Sequence, residues 1–305
     1  MLLLTGATGL VGRAVLRRLA AAGVPVRCLV RDPRRLGPDR VRVQIALGDL
    51  ADPQSFRNAL RGVETVVHLA ATIRDQPRGS IEELNGIATW RMVEAAGRAG
   101  VDRFVFFSAL AASTHDRTRL LRAKALAEQA VRDGPVASVI FAPSLIYAPG
   151  DPWLTLLSRL ALLPVMPFSG RGRALFQPIW ADDVARCVCA ELDSPTTSPT
   201  CRYELAGPHT LSHEAIVRLA LRSIGKRRLL VHLPLAIVSP GLRALELLVR
   251  SRAFATWDEA ELMEVSMVSA TGTADAERLG VRPRAIVDVL GLSAAAGPAR
   301  VRLPV

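Results

Sequence analysis

Three glycines, Gly6, Gly9 and Gly12, stand between a short apolar run, Leu2–Thr5, and a segment from Leu10 whose apolar residues recur at helical spacing. This strand–loop–helix context constrains the chain more than any other feature. The first glycine of such a loop permits a tight turn. The second lets the backbone approach a pyrophosphate, and the third lets the helix lie close on the strand. The opening turn of the helix also offers unpaired N–H groups and the positive end of its dipole to a phosphate. The stretch Gly6-Ala7-Thr8-Gly9-Leu10-Val11-Gly12 therefore reads as the phosphate loop of a dinucleotide site.

The rest of the N-terminal half supports that reading. Apolar runs at Leu2–Thr5, Val26–Val30, Val41–Ala46, Thr65–Leu69, Arg103–Phe107 and Val136–Phe141 read as strands. They alternate with helical patterns at Leu10–Ala22, Pro53–Leu60, Ile81–Ala99 and Arg119–Arg132. Six strands with crossover helices predict an α/β fold, a doubly wound parallel Rossmann sheet over residues 1–145. After about residue 143 prolines and glycines cluster (Pro143, Pro149-Gly150, Pro152, Pro164, Pro167) and the alternation breaks. Helices are expected at Asp182–Leu192, Ser212–Ile224 and Leu242–Val249, within a smaller C-terminal substrate or docking domain spanning 146–305. Residues 174–195 are expected to return to the sheet, around Phe176–Trp180.

The formal net charge is +11, yet only Lys124 and Lys226 are lysines among 39 basic residues. Scattered arginines without interleaved aromatics argue against a specific nucleic-acid partner. Cys28, Cys187, Cys189 and Cys201 have neither metal nor disulfide-framework spacing, so they read as small hydrophobes, and no metal is expected. No uninterrupted apolar stretch reaches the ~18 residues of a membrane span. The N-terminus lacks a secretory pattern. A cytoplasmic protein is expected, free or peripheral to a membrane.

At the end of the second strand an NAD site wants a carboxylate for the ribose hydroxyls. Here Val30 is followed by Arg31, with Asp32, Arg34 and Arg35 beyond. A guanidinium fork suits a 2′-phosphate. Arg31, seconded by Arg35, therefore predicts NADP(H) as the preferred cofactor, and Asp32 turned inward would be the route to NAD(H).

Several segments resemble the extended and atypical short-chain dehydrogenase/reductase superfamily: Thr5-Gly6-Ala7-Thr8-Gly9, Gly48-Asp49-Leu50, His68-Leu69-Ala70-Ala71 and Asn85. The stretches Arg103–Ser108, Pro143–Asp151 and Phe176–Ala185 are similar to the atypical branch that contains the dehydrogenase-like accessory subunit of respiratory complex I. The first 130 residues show weaker similarity to NmrA-like sensors and photosystem assembly factors. The resemblance implies that Asp49 and Leu50 flank the adenine, with the Asp49 carboxylate reaching its amino group. It places Leu69, Ala70 and Ala71 beneath the nicotinamide-side ribose, and Ser108 and Pro143 beside the nicotinamide.

Active members use Tyr-x-x-x-Lys on the helix after the fifth strand, four residues apart so that both share one face. This chain reads Leu120-Leu121-Arg122-Ala123-Lys124, and Ala109 follows Ser108 where many relatives carry a second hydroxyl. Leucine cannot carry a proton, and losing a placed acid–base group costs on the order of 10²–10⁴ in rate. Lys124 is retained, with a cofactor-binding role, and no residue is a firm catalyst. Tyr147, in the loop after the sixth strand, is the alternative proton donor.

Three readings follow. One is an NADP(H)-binding protein with a degenerate site and a structural or assembly role at a protein or membrane complex. The second is an oxidoreductase or epimerase with another proton donor. The third is an NmrA-like redox sensor. Two apolar stretches, Trp153–Phe168 and Leu229–Val249, are candidates for core packing or for docking, and their prolines exclude clean spanning helices.

Overall fold

A computed structural model describes residues 1–194, 200–233 and 256–292. The expected helix Leu242–Val249 lies outside the described residues. Parallel pairing joins β1 (Leu2–Thr5), β2 (Val26–Val30), β3 (Gln44–Leu47), β4 (Thr65–His68), β5 (Arg103–Phe107) and β6 (Ala137–Pro143). A seventh strand, Cys201–Leu205, pairs in parallel with β6. The order is β3-β2-β1-β4-β5-β6 and then the seventh strand, so β1 and β4 meet where the winding reverses. This is the doubly wound α/β Rossmann sheet, and its switch point is where such sheets bind ligands.

Burial on both faces explains why the central strands read as unbroken apolar runs rather than alternations. All five residues of β5 are buried. Phe104 and Phe106 face α2 (Pro53–Arg57), α3 (Ala88–Arg98) and α4 (Arg119–Arg132), packing with Phe56, Met92, Val93, Ala127 and Val131. Val105 and Phe107 face α1 (Leu10–Ala21) and α6 (Ala181–Asp193), with Val15, Leu16, Val184 and Val188. Cys28 and Cys187 are buried in this second layer, whereas Cys189 and Cys201 are only half-buried.

Several expectations need correction. Residues 41–43 are not strand. A 3₁₀ segment runs through Arg42, capped by Asp32, and β3 starts at Gln44 with mostly exposed side chains. The helix expected over Ile81–Ala99 is interrupted by a π-turn at Glu83–Ile87, and Pro53–Leu60 divides at Asn58. Phe176–Trp180 does not join the main sheet. Leu175–Phe176 pairs antiparallel with Leu211–Ser212, and Ile179–Trp180 pairs with Ile146–Tyr147. Among the described residues, the last contribution to the main sheet is Cys201–Leu205, beyond the range 174–195. Its alternating, half-buried side chains mark it as an edge strand, which hides it from an apolar-run search.

Helix α6 has no side-chain cap, although it opens on the acidic pair Asp182-Asp183. The Asp182 carboxylate instead receives both Arg18 Nε (3.1 Å) and Nη2 from α1, and buried Asp183 accepts the Arg284 N–H at 2.8 Å. Trp153–Phe168 forms α5 (Pro152–Leu160) and the strand Val165–Ser169, which pairs with Leu229–Leu233. With α7 (His213–Ser223) these make a small apolar cluster around Leu157, Met166, Phe168, Val217 and Leu221.

Candidate cofactor site

The glycine loop turns through Gly6 at φ +72°, and Gly9 N–H closes the turn on Gly6 O at 2.9 Å. A Cβ on Gly6 would stand 2.6 Å from Ala70 N, and one on Gly12 would overlap the Gly6 carbonyl. The first and third glycines therefore let the β1 end, the β4 end and α1 crowd together. Gly9 itself is exposed at the N-cap of α1, with its open side toward the cleft. Arg13 on α1 ties this loop to the next segment, donating to Thr8 O at 3.1 Å and Arg35 O at 3.4 Å. That tie is not visible in the sequence.

Above the loop lies a cleft of about 400 Å³. Gly6, Ala7, Thr8 and Gly9 form its floor, Arg31 and Arg35 one rim, Asp49 and Leu50 the next wall, and Leu69, Ala70 and Ala71 the far side. Leu10, Val11 and Gly12 belong to α1 behind it, and Ser108, Lys124 and Pro143 are not in its lining. Asp32 also reaches the cleft, but its carboxylate accepts the Arg34 N–H at 2.9 Å. Arg31 and Arg35 are exposed. Asp49 Oδ1 accepts the Ala51 N–H at 3.1 Å, and Ser55 Oγ braces the turn by receiving the Asp49 N–H at 2.9 Å. Gly48 is closely packed, since a Cβ there would meet Leu29 Cδ1 at 2.8 Å and Ser55 O at 3.0 Å.

Ser108, Pro143 and Lys124 gather at the carboxyl ends of β5 and β6. Ser108 N–H donates to Phe141 O at 2.8 Å, and Leu110 N–H to Pro143 O at 3.1 Å. Lys124 Nζ donates to Phe107 O at 2.5 Å and lies 4.9 Å over the Phe106 ring. Burial pushes the Lys124 ammonium down to about 8, partly opposed by Glu128. Ser108 Oγ is buried without a hydrogen-bond partner. Beneath them His68 bridges Thr5 Oγ1 (2.9 Å) and Thr89 Oγ1 (3.1 Å), and burial with the Lys124 charge holds it neutral, down to about 3. Asn85, in the π-turn, anchors the loop after β4: its amide donates to Thr72 O at 2.8 Å and receives the Thr72 N–H at 3.1 Å.

The gathered features fit a dinucleotide: a cradle that a Cβ would fill, a helix N-terminus beneath a cleft, and cationic groups at one rim. Residues 6–152 match the family model described as NAD(P)H-binding. Subunit 9 of the mitochondrial NADH dehydrogenase [ubiquinone] 1 alpha subcomplex of Arabidopsis thaliana is 30% identical over 243 residues, 76% of this chain and 60% of that protein. The chain belongs to the NAD(P)-binding, short-chain dehydrogenase-like family. A ceramide reductase of Caulobacter vibrioides is 34% identical over 166 residues, 54% of this chain and 52% of its own. The chain thus spans between about half and three-fifths of the length of these two relatives. A nucleoside-diphosphate-sugar epimerase of Staphylococcus aureus shares the fold at TM-score 0.75 and 19% identity, covering 95% of this chain and 99% of its own.

Within that family the α4 face is the telling departure. Leu120, expected from the sequence to hold the tyrosine position, is half-buried against an apolar cluster of Leu121, Phe176, Leu262 and Met267. Tyr147 lies in the same cluster, 2% exposed, its hydroxyl unpartnered. Burial, with Asp183 and Asp288 adding to it, drives its phenol well above the ordinary range. Sequence reasoning missed the arginine network beside this cluster. Arg119 binds Glu82 (2.7 Å), Asp75 (3.0 Å) and Asp258 (3.4 Å), and Arg74 binds Glu259 at 2.6 Å, joining the loop after β4 to the helix Trp257–Leu262. The Arg119 guanidinium holds Glu82 down to about 2. Among the described residues no cluster of metal-ligating side chains occurs, and no helix is long and apolar enough to cross a membrane.

Proposed function

We propose that the chain binds NADP(H) in preference to NAD(H), has little or no hydride-transfer turnover, and serves a structural or assembly role in a protein complex at or beside a membrane. The observation that carries this reading is the α4 face: Leu120 stands where the family's tyrosine would be, one turn from Lys124. Tyr147 is a poor substitute, because its phenol is buried among apolar side chains and held protonated. The cofactor half of the site has no such defect. Arg31 and Arg35 stand exposed at the rim where a 2′-phosphate would lie, while the Asp32 carboxylate is occupied in capping its own turn. Gly6–Gly12 would hold the pyrophosphate, and Lys124 and Ser108 would border the nicotinamide end, where the bound cofactor would supply hydride chemistry. A role in a complex is supported by the relatives named as subunits of NADH dehydrogenase.

A second reading, a reductase of apolar carbonyl compounds, is favoured by the ceramide reductase relative and by the unpartnered Ser108 hydroxyl. There Ser108 Oγ would hold the carbonyl oxygen and the Lys124 ammonium would be the proton source. Oxidation of NADPH over a panel of carbonyls, long-chain ketones included, separates the two. The first reading expects tight NADPH binding with turnover far below ~1 s⁻¹, whereas turnover at ordinary enzyme rates of ~1–10³ s⁻¹ would replace it with the second.

A further inference from the structure

We propose that Arg78 is a second anion-binding residue of the cofactor cleft, acting with Arg31 on the phosphate carried by the adenosine 2′-oxygen. The inference rests on the NADP(H) reading and adds to it a residue from a separate segment of the chain. The loop after β4 ends in a tight turn, Gln76-Pro77-Arg78-Gly79, closed by two mutual backbone bonds: Gln76 N–H to Gly79 O at 2.9 Å and Gly79 N–H to Gln76 O at 3.1 Å. Proline at the first corner presets the backbone for the turn, and Arg78 occupies the second corner.

The turn stands on a braced base. Thr72 is held by Asn85, Gln76 Nε2 donates to Thr72 Oγ1 at 3.3 Å, and Asp75 accepts the Ile81 N–H at 2.8 Å and pairs with Arg119. Arg78 is thus presented from a fixed platform, with its own side chain 76% exposed.

A second cavity, of about 540 Å³, opens beside the first and shares Arg31, Gly48 and Asp49 with it. Its other walls include Ser55, Pro77 and Arg78, so both arginines line one space. Two carboxylates also line it, and both are engaged. Asp52 accepts the Gln54 N–H at 3.0 Å, and Asp49 holds Ala51 N–H through one oxygen. The other Asp49 oxygen lies 3.7 Å from Arg78 Nη1. That separation is beyond hydrogen-bond reach, and the Arg78 guanidinium stays largely in solvent, which weakens such a pair. Arg78 is therefore easily recruited by a stronger anion. A phosphate offers a guanidinium fork the better partner. Transfer of Arg78 to it would leave the second Asp49 oxygen free for the adenine amino group.

The test uses calorimetry with two probes that differ only in that phosphate, 2′,5′-ADP and 5′-AMP, on the wild type, Arg31→Gln, Arg78→Gln and Arg78→Lys. The expected result is that 2′,5′-ADP binds the wild type more tightly than 5′-AMP. Arg78→Gln should weaken 2′,5′-ADP by about ten-fold, as loss of one charged hydrogen bond would, and leave 5′-AMP unchanged. Arg78→Lys should recover part of the loss. If Arg31→Gln weakens 2′,5′-ADP while Arg78→Gln does not, the Arg78 assignment falls and the NADP(H) reading stands. If Arg78→Gln weakens both probes equally, the residue shapes the turn rather than binding the anion, and the assignment falls. If the wild type binds both probes equally, the NADP(H) reading fails and the assignment fails with it.

Discussion

At the end of the cleft proposed for the adenosine the site is made of backbone, glycine and exposed arginine, and it encloses open space between Gly6–Gly9, Arg31 and Asp49. At the β5–β6 end apolar side chains pack together, Leu120, Leu121 and Tyr147 among them, and a buried lysine is bonded to a backbone carbonyl. The two ends draw on different segments of the chain, and their chemistries are separable. Phosphate recognition needs N–H groups and positive charge in fixed places, both of which a rigid strand–turn–helix supplies without an ionisable side chain changing state. Hydride transfer to a carbonyl also needs a proton delivered at the right atom, and that depends on one residue of one helix. On the proposed reading, Leu120 removes the proton donor and leaves the cofactor end of the cleft untouched.

The sharpest way to break the comparison is to damage the adenosine end alone. Gly12→Val would drive a side chain into the Gly6 carbonyl and Ala7 Cα. Dinucleotide affinity should fall by two orders of magnitude or more, with a clear loss of thermal stability. Gly9→Ala separates the two effects, because Gly9 has an ordinary extended φ of −79° and its Cβ would meet only Gly6 O, at 3.2 Å. It should melt close to the wild type yet bind dinucleotide at least ten-fold more weakly. A Gly9→Ala variant with wild-type affinity would show that phosphate does not sit on this loop.

The same division governs what the sequence reveals. The strands β1, β2 and β5 and the helix α4 stand at the residues expected from periodicity, because burial of the strands on both sides and of one face of α4 leaves a mostly apolar, clean pattern. The edges are poorly legible. Val41 is apolar yet 82% exposed, so an apolar-run search started β3 too early, and Cys201–Leu205 alternates with Arg202 and Glu204 and was missed. The glycine loop and Arg31 could be placed in the cleft from spacing, since their positions follow directly from strand ends, and the Asp49–Leu50 turn from the family resemblance. Arg78, the Arg13 tie and the Arg119 network could not. They depend on which loops meet across the sheet, at separations as large as that between Arg119 and Asp258.

The next test probes the β5–β6 end. Lys124→Met keeps the side chain's length and removes its charge, so the apolar packing should survive. Affinity for the full dinucleotide should drop by about ten-fold, while 2′,5′-ADP, which ends before the nicotinamide, should bind as before. Equal losses for both ligands would show that the two ends are coupled and would undo the comparison. Stability gives a second readout. The folded Lys124 titrates at about 8 against 10.5 when unfolded, so between those values the unfolded chain holds more protons. Wild-type stability should therefore rise from pH 8 to 10.5 by this contribution, and the Lys124→Met protein should lack that rise.

The smallest expected effect concerns His68, which sits beneath both ends and links β1, β4 and α3 through Thr5 and Thr89. Its folded value of about 3 lies far below the ordinary 6.5, first through burial and then through the Lys124 charge. Between those values the unfolded chain binds a proton that the folded chain refuses, so stability falls as pH drops below 6.5. For one such group the loss between pH 6.5 and 5.5 is about 1 kcal/mol. His213, held down to about 4 by burial, adds a similar increment, whereas the Glu82–Arg119 pair contributes only below pH 4.5. Denaturant unfolding of the wild type and His68→Gln at these two pH values isolates the first term. The variant should show a loss smaller by about 1 kcal/mol, whatever its stability at pH 7. An identical pH slope in the two proteins would mean that His68 is protonated in the fold. A second positive charge would then lie beside Lys124, and the β5–β6 end would be far more polar than its apolar wall implies.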